Sequence, residues 1–489
     1  MQWRIRPVIF EIHTWAWLAD LSAREHQVIT LGNVPASEWD ALAALHIDAV
    51  WFMGVWQRSP IGVAVSNANA AQQIEFRDAL PDYTLDDNVG SAYCVRAYQV
   101  DERIGGAEGL ARARQELAQR GIRLILDFVP NHVAPDHAWV ESHPEFLIRG
   151  TRGDLERAPE EFIETHGNVI ANGRDPYFPP WRDVVQVNAF DAGLRAAAIE
   201  TVNALASQCD GLRCDMAMLM LNEIFAKTWG ARAGAKPEIE FWRELIPAVK
   251  KNFPDMLFIA EAYWNLEYEL MQNGFDFCYD KRLYDRLARD NGESVRNHLL
   301  AGMDYQDKLV RFIENHDEPR AAATFAPLQA RAAAIVVTTL PGAKIVNDGQ
   351  LDGRKIKLPV FLARRASEAK NYELDLFYRA LLKTIDADLF HNGEWNLCER
   401  SGWSDNASFK NIVAWAWRNE KERAVIIVNL SAQRSQALIQ MTWDDLQNRV
   451  WRLSDSLNGD VFIRDGNQLS EAGLFVDLDA WRFHFLMFE

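Results

Sequence analysis

Short apolar runs that end at a polar or acidic position recur through the first two thirds of the chain. They alternate with segments whose apolar residues repeat at helical spacing. That alternation predicts a parallel α/β sheet or barrel. Residues 8–12 read as a first strand. Ser37-Glu38-Trp39-Asp40 offers a capping box for a helix that carries Trp39, Leu42 and Leu45 on one face. Residues 48–53 read as a second strand. A helix over 107–119 stops at Gly121, a residue suited to a left-handed cap, and a third strand runs from Ile122 to Asp127.

The pattern breaks between 133 and 188, where Pro, Gly, His and acids dominate. A structureless loop of that length is improbable in a compact domain, so this stretch predicts a small inserted subdomain. Regular units resume after Asp191. Beyond 391 the texture changes to alternating strand-like segments such as Ile412-Val413-Ala414-Trp415 and Ala424-Val425-Ile426-Ile427, with a hairpin turn at Leu457-Asn458-Gly459-Asp460. The expected architecture is a (β/α)8 barrel from 1–132 and 189–390, an insertion after strand three (133–188), and a C-terminal antiparallel β-sandwich (391–489).

Four of the apolar runs end in acids: Ile122 to Leu126 before Asp127, Gly211 to Cys214 before Asp215, Leu257 to Ala260 before Glu261, and Phe312 to His316 before Asp317. Strand ends of a barrel share one rim, so these distant carboxylates can converge there. Clustered acids repel and raise one another's pKa values, which marks a candidate active site. Asp215 and Glu261 fall on neighbouring strands four and five, and a carboxyl pair flanking one bond is the minimum apparatus for glycoside cleavage. Arg213 lies two residues before Asp215 on the same side of its strand, and predicts an ionised Asp215 ready to attack. Glu261 follows an apolar run that would help it keep a proton. Asn131 and His132 follow Asp127, and His316 adjoins Asp317, so both imidazoles are candidates to grip sugar hydroxyls.

The net charge of −17 disfavours nucleic-acid partners. Eighteen tryptophans suit sugar stacking in a minority of positions and core packing in the rest. Five cysteines without metal-ligand spacing point to a reducing compartment. With no signal-like start and no apolar stretch long enough to span a bilayer, the expectation is a cytoplasmic protein without a membrane partner.

Asp127-Phe128-Val129-Pro130-Asn131-His132, Gly211-Leu212-Arg213-Cys214-Asp215, Ile259-Ala260-Glu261 and Phe312-Ile313-Glu314-Asn315-His316-Asp317 resemble, in order, the four signature segments of the α-amylase family of retaining α-glycoside hydrolases and transglycosylases, glycoside hydrolase family 13. The resemblance implies Asp215 as nucleophile, Glu261 as acid/base and Asp317 as transition-state stabiliser. It also implies Arg213, His132, His316, Asp127 and the stacking Tyr93 at the cleaved sugar. Asn131 resembles a residue that binds calcium in many members. No cofactor is otherwise expected, and one Asn does not make the oxygen cage that calcium needs.

Three departures stand out. Met218 and Leu219 occupy positions where many members carry Lys-His, Ala97 replaces an Asp, and Gly349-Gln350-Leu351 lacks an acid. With aromatic segments near Trp56 and Trp181, they direct the reading to short oligosaccharides or small α-glucosides. The alternatives are an α-glucosyl transferase, a sucrose phosphorylase-like enzyme in which Arg58 and Arg96 meet phosphate, and a non-catalytic amylase-like binding module. The oligomeric state is not legible.

Overall fold

The computed structural model describes residues 3–489; Met1 and Gln2, the start of the segment read for a leader, lie outside the described residues. Eight parallel strands close into a barrel: β1 (Val8–His13), β2 (Ala49–Met53), β3 (Arg123–Phe128), β4 (Gly211–Cys214), β5 (Leu257–Ala260), β6 (Phe277–Tyr279), β7 (Leu309–Arg311) and β8 (Ala343–Asn347). Each pairs with the next, and β8 returns to pair with β1. Both faces of these strands are covered, which is why they read as continuous apolar runs.

Between β1 and β2 run α1 (Thr14–Glu25) and α2 (Ala36–Ala43). The expected capping box at Ser37 does not form. Pro35, in an extended conformation, stands directly before Ala36 and starts α2 with no side-chain cap, which leaves Ser37 inside the first turn. Trp39 and Leu42 are buried as expected. After β2 the chain forms a short strand Trp56–Arg58, paired with Val95–Val100, and between them the helices α3 (Pro60–Ala68) and α4 (Ala70–Ala79). The next helix, α5 (Gly106–Gln119), ends as the sequence predicts. Gly121 takes φ +76°, and the Ile122 amide turns back to the Leu117 carbonyl at 3.0 Å.

The irregular stretch after β3 is a four-stranded antiparallel sheet in the order His132–Val133, Trp181–Gln186, Asn168–Gly173, Phe162–Thr165. The C-terminal part holds a six-stranded and a three-stranded antiparallel sheet. Ile412, Val425, Ile439, Val476 and Leu486 fill the space between them. The other face of the larger sheet joins the barrel core: Trp417 is fully buried, and its Nε1 donates to the Thr339 carbonyl at 2.8 Å. The predicted hairpin turn joins Val450–Asp455 to Val461–Asp465, with Gly459 at φ +79°. No described helix is long and apolar enough to cross a membrane.

Candidate active site

The parallel register sets the site. Cys214 pairs with Ala260, so the residues that follow them, Asp215 and Glu261, leave adjacent strands at the same level. Arg213 pairs with Asp127 on the other side. The guanidinium of Arg213 then lies at the centre of the acids. Its Nη1 donates to Asp215 Oδ1 at 2.7 Å, and its Nη2 lies 2.6 Å from Glu261 Oε2. Asp127 and Asp317 stand further off, at 3.6 and 3.9 Å. The rings of Tyr93 and Trp51 cover it at 5.1 and 5.3 Å.

Glu261 accepts a second bond at Oε2 from the Met216 amide at 2.6 Å, and Tyr263 Oη donates to its Oε1 at 2.9 Å. Met216 holds φ +42°, a left-handed conformation costly for a side chain of its kind, and this turn directs its amide to Glu261. Asp317 is aimed by a local turn, because Asn315 Oδ1 accepts from the Asp317 and Glu318 amides at 2.9 and 2.8 Å. Its Oδ2 lies 3.0 Å from His316 Nε2, which also meets the Tyr93 hydroxyl at 2.6 Å.

Electrostatics separate these acids. Burial pushes the Asp215 carboxyl up to about 8, against the charge of Arg213 and with the help of Glu261. Burial raises Glu261 as well. The charge of Arg213 is not given to Asp215 alone: it is divided among four carboxylates, of which Asp127, Asp215 and Glu261 are buried and Asp317 is exposed. Near neutral pH the Asp215–Glu261 pair retains a proton, because two adjacent buried charges are too costly. Asp317 behaves oppositely. Burial favours its neutral form, but the charges of His316, Arg213 and Lys357 outweigh that and hold it well below the usual carboxylate range. His316 is raised to about 10, because Asp317 and Glu11 overcome its burial. Burial lowers His132 to about 4, so its imidazole is neutral.

The cavity above these groups measures about 490 Å³, within the size of small-molecule sites. Asp215, Glu261, Asp317, Tyr93 and His132 line it. Arg213, His316 and Asp127 lie behind this lining. Asp127 does not line the cavity. It is buried, accepts from the Gly54 amide at 3.2 Å and backs Arg213.

Other expectations divide. Trp181 lines the cavity beside His132, whereas Trp56 is buried against Tyr98 and donates to the Asp127 carbonyl at 2.8 Å. Met218 and Leu219 are buried in the turn after β4 and do not shape the cavity; Met216 does. Arg58 is spent on the carbonyls of Gly90, Gly54 and Val360, and Arg96 pairs with Asp136, so neither meets the cavity. Gln350 bridges the Tyr378 hydroxyl and the Asn347 amide.

The residues around Asn131 do not fit calcium. Gln186 Nε2 donates to the Asn131 carbonyl, Asn131 Oδ1 and the Val187 carbonyl at 2.8, 2.9 and 3.1 Å. A nitrogen donor stands where three oxygens converge, and a cation needs those oxygens free.

Several contributors were not singled out from the sequence. Glu11 ends the first apolar run as the other acids end theirs, and that signal could have found it. Tyr263, Trp51 and Tyr279, whose hydroxyl accepts from Arg213 Nε at 3.3 Å, carry no signal that separates them from core aromatics.

The family description "alpha amylase, catalytic domain" matches residues 40–441. Among curated proteins, the chain is 23% identical over 443 residues to the α-amylase MalA of Haloarcula japonica, covering 88% of this chain and 56% of that protein. It is 20% identical over 383 residues to an α-1,4-glucan:maltose-1-phosphate maltosyltransferase of Picrophilus torridus, covering 75% and 55%. The chain thus spans about half the length of these two relatives. Among solved structures, the noncanonic maltogenic α-amylase AmyB of Thermotoga neapolitana superimposes with a TM-score of 0.70 at 18% identity, covering 99% of each chain.

Proposed function

The chain belongs to the α-amylase family, and on that premise we propose that it cleaves α-glucosidic bonds of short oligosaccharides or small glucosides with retention of configuration, through a covalent glycosyl-enzyme. The observation that carries this reading is the pair Asp215 and Glu261, held at one level by the two terminal nitrogens of Arg213. Carboxyl groups about 5–5.5 Å apart leave no room for an intervening water and suit direct attack by one of them.

In this reading the single proton of the pair sits on Glu261 Oε1. The Tyr263 hydroxyl can accept as well as donate there. Glu261 gives that proton to the leaving oxygen while Asp215 bonds to the anomeric carbon. Asp317, ionised and the most exposed of the acids, stabilises the cation-like ring. Neutral His132 and Tyr93 line the same cavity as partners for the sugar. Water activated by Glu261, now a base, releases the sugar in the second step. A sugar hydroxyl in place of water would make the protein a transferase, a variant supported by the similarity to the Picrophilus maltosyltransferase.

The reading requires no cofactor. It supposes a carbohydrate partner and no nucleic acid. Five free, buried cysteines support a reducing compartment, and we read the protein as cytoplasmic.

The test is a panel of α-linked disaccharides, maltooligosaccharides and p-nitrophenyl α-glucoside, with the first-formed product followed by proton NMR. The α-anomer is expected at early times. A β-anomer, or turnover by Asp215→Asn equal to wild type, rejects the mechanism.

A further inference from the structure

Resting on that reading, we propose that the cavity is blind at its glycone end, so that the protein acts only from a free non-reducing terminus and reads that terminus with Asn69, Gln72 and Asp183.

The residues that line the cavity come from the catalytic strand ends and from a second group of segments. Beside the proton donor Glu261 stand Met216 and Tyr263. Ser91, Val65, Asn69, Gln72, Phe361 and the start of the Trp181–Gln186 strand line the same cavity, and with the leaving group assigned to the Glu261 side they form its sugar-holding end in this reading. Three separate segments meet there. Helix α3 seats on the Tyr93–Cys94 segment so closely that a Cβ at Gly62 would lie 2.7 Å from Cys94 Sγ, and it packs along the Trp181–Gln186 strand. Helix α4 packs Phe76 against Phe361, with ring centroids 5.5 Å apart, and Phe76, Leu80 and Leu362 share a small core.

The loop after β8 is fastened to the same wall. The Val89 amide donates to the Phe361 carbonyl at 2.9 Å. Arg364 grips Asp82 at 2.9 Å and Asp87 at 2.5 Å. Shared charges and a dry apolar core make this collar a fixed wall rather than a loose loop. A longer chain entering from that end would have to displace it.

The wall also carries free polar groups. Asn69 caps α4 through Oδ1, which accepts from the Ala71 amide at 3.0 Å and leaves its amide nitrogen free to donate. Asp183 lines the cavity, and burial raises its carboxyl to about 6 with no opposing cation. A carboxylate, an amide donor and a second amide at the end of a sugar pocket are suited to paired terminal hydroxyls, which both donate and accept.

The experiment compares maltopentaose with its 4,6-O-ethylidene derivative blocked at the non-reducing end. Products are separated by chromatography, and binding of both to Asp215→Asn is measured by calorimetry. The free sugar should shorten stepwise from its non-reducing end, and the blocked sugar should be neither cut nor bound. Asp183→Asn should weaken binding of the free sugar by about 10-fold, the scale of one hydrogen bond to a charged group. Asn69→Ala and Gln72→Ala, which alter the rim and not the core, should raise KM with kcat unchanged. Equal cleavage of blocked and free sugar overturns the blind end and leaves the glycosidase reading standing. Absence of both cleavage and binding for either sugar overturns both readings.

Discussion

Glu11 Oε1 lies 2.5 Å from His316 Nδ1, joining the end of β1 to the loop after β7 across the barrel mouth. The other imidazole nitrogen meets Asp317, so the ring is clamped between two carboxylates and stays charged to about pH 10. Charged His316 in turn keeps Asp317 ionised, and Glu11 is thereby a positioning residue for a group it does not touch.

Glu11→Gln removes one of the two charges that raise His316. The alkaline limb of kcat/KM should move to lower pH, while the acid limb stays in place. The sign for stability follows from a raised folded pKa. The ion pair's contribution is complete below the unfolded value of about 6.5 and fades as pH rises through about 10. The difference in thermal midpoint between wild type and variant should therefore be largest below about pH 6.5 and shrink towards pH 10. An unchanged pH profile would make the contact merely structural.

Asp215→Asn should lower kcat by at least about 10⁴-fold, the scale seen when a nucleophile is removed. It should also raise the thermal midpoint. Burial makes the adjacent Asp215–Glu261 pair hold a proton up to about pH 8, so the second ionisation of the pair, which the variant removes, opposes folding as pH climbs from the unfolded value of about 4 through 8. The stabilisation should be absent below about pH 4 and complete above about pH 8, as read by calorimetry across that range.

Gln186→Ala leaves Asn131 Oδ1 and the Val187 carbonyl without their donor in a buried setting, while the Asn131 carbonyl keeps the Val187 amide at 3.2 Å. The expected loss is about 1–3 kcal/mol by denaturant titration. A chelator should leave the wild-type midpoint where it was. A chelator-induced drop would mean that a cation takes the place assigned here to the glutamine nitrogen.

Trp417→Ala should cost about 3–5 kcal/mol, the usual range for a large buried aromatic. The indole fills the junction of barrel and C-terminal sheet, donates to Thr339 and carries Arg6 over its ring at 4.8 Å. Urea unfolding would measure the loss, and a change under about 1 kcal/mol would place the site among tolerant positions.

The barrel was legible because its strands are short apolar runs that must be covered on both faces, and because polar residues gather near the rim where the runs give way. Asp215 and Glu261 could be paired from order alone, since consecutive strands of a parallel barrel are neighbours. Ser37 misled because a local capping pattern is a weak preference, and the extended Pro35 had already set the helix start. Met218 and Leu219 misled because sequence position next to a nucleophile does not say which way a side chain faces; both turn into the core.

By itself the sequence determined which acids could reach one rim, because period and polarity are local properties of the chain; it misplaced strand ends, since Asp127 lies inside β3 and the run from Phe312 to His316 follows β7 as loop rather than strand. Only the tertiary structure decided how many carboxylates share Arg213, that Glu11 holds His316 from 305 residues away, and that α3, α4 and the loop after β8 wall one end of the cavity. The physical reason is that charge and closure depend on distances in space. A guanidinium divided among four acids leaves a proton on the pair, and no spacing along the chain records that division.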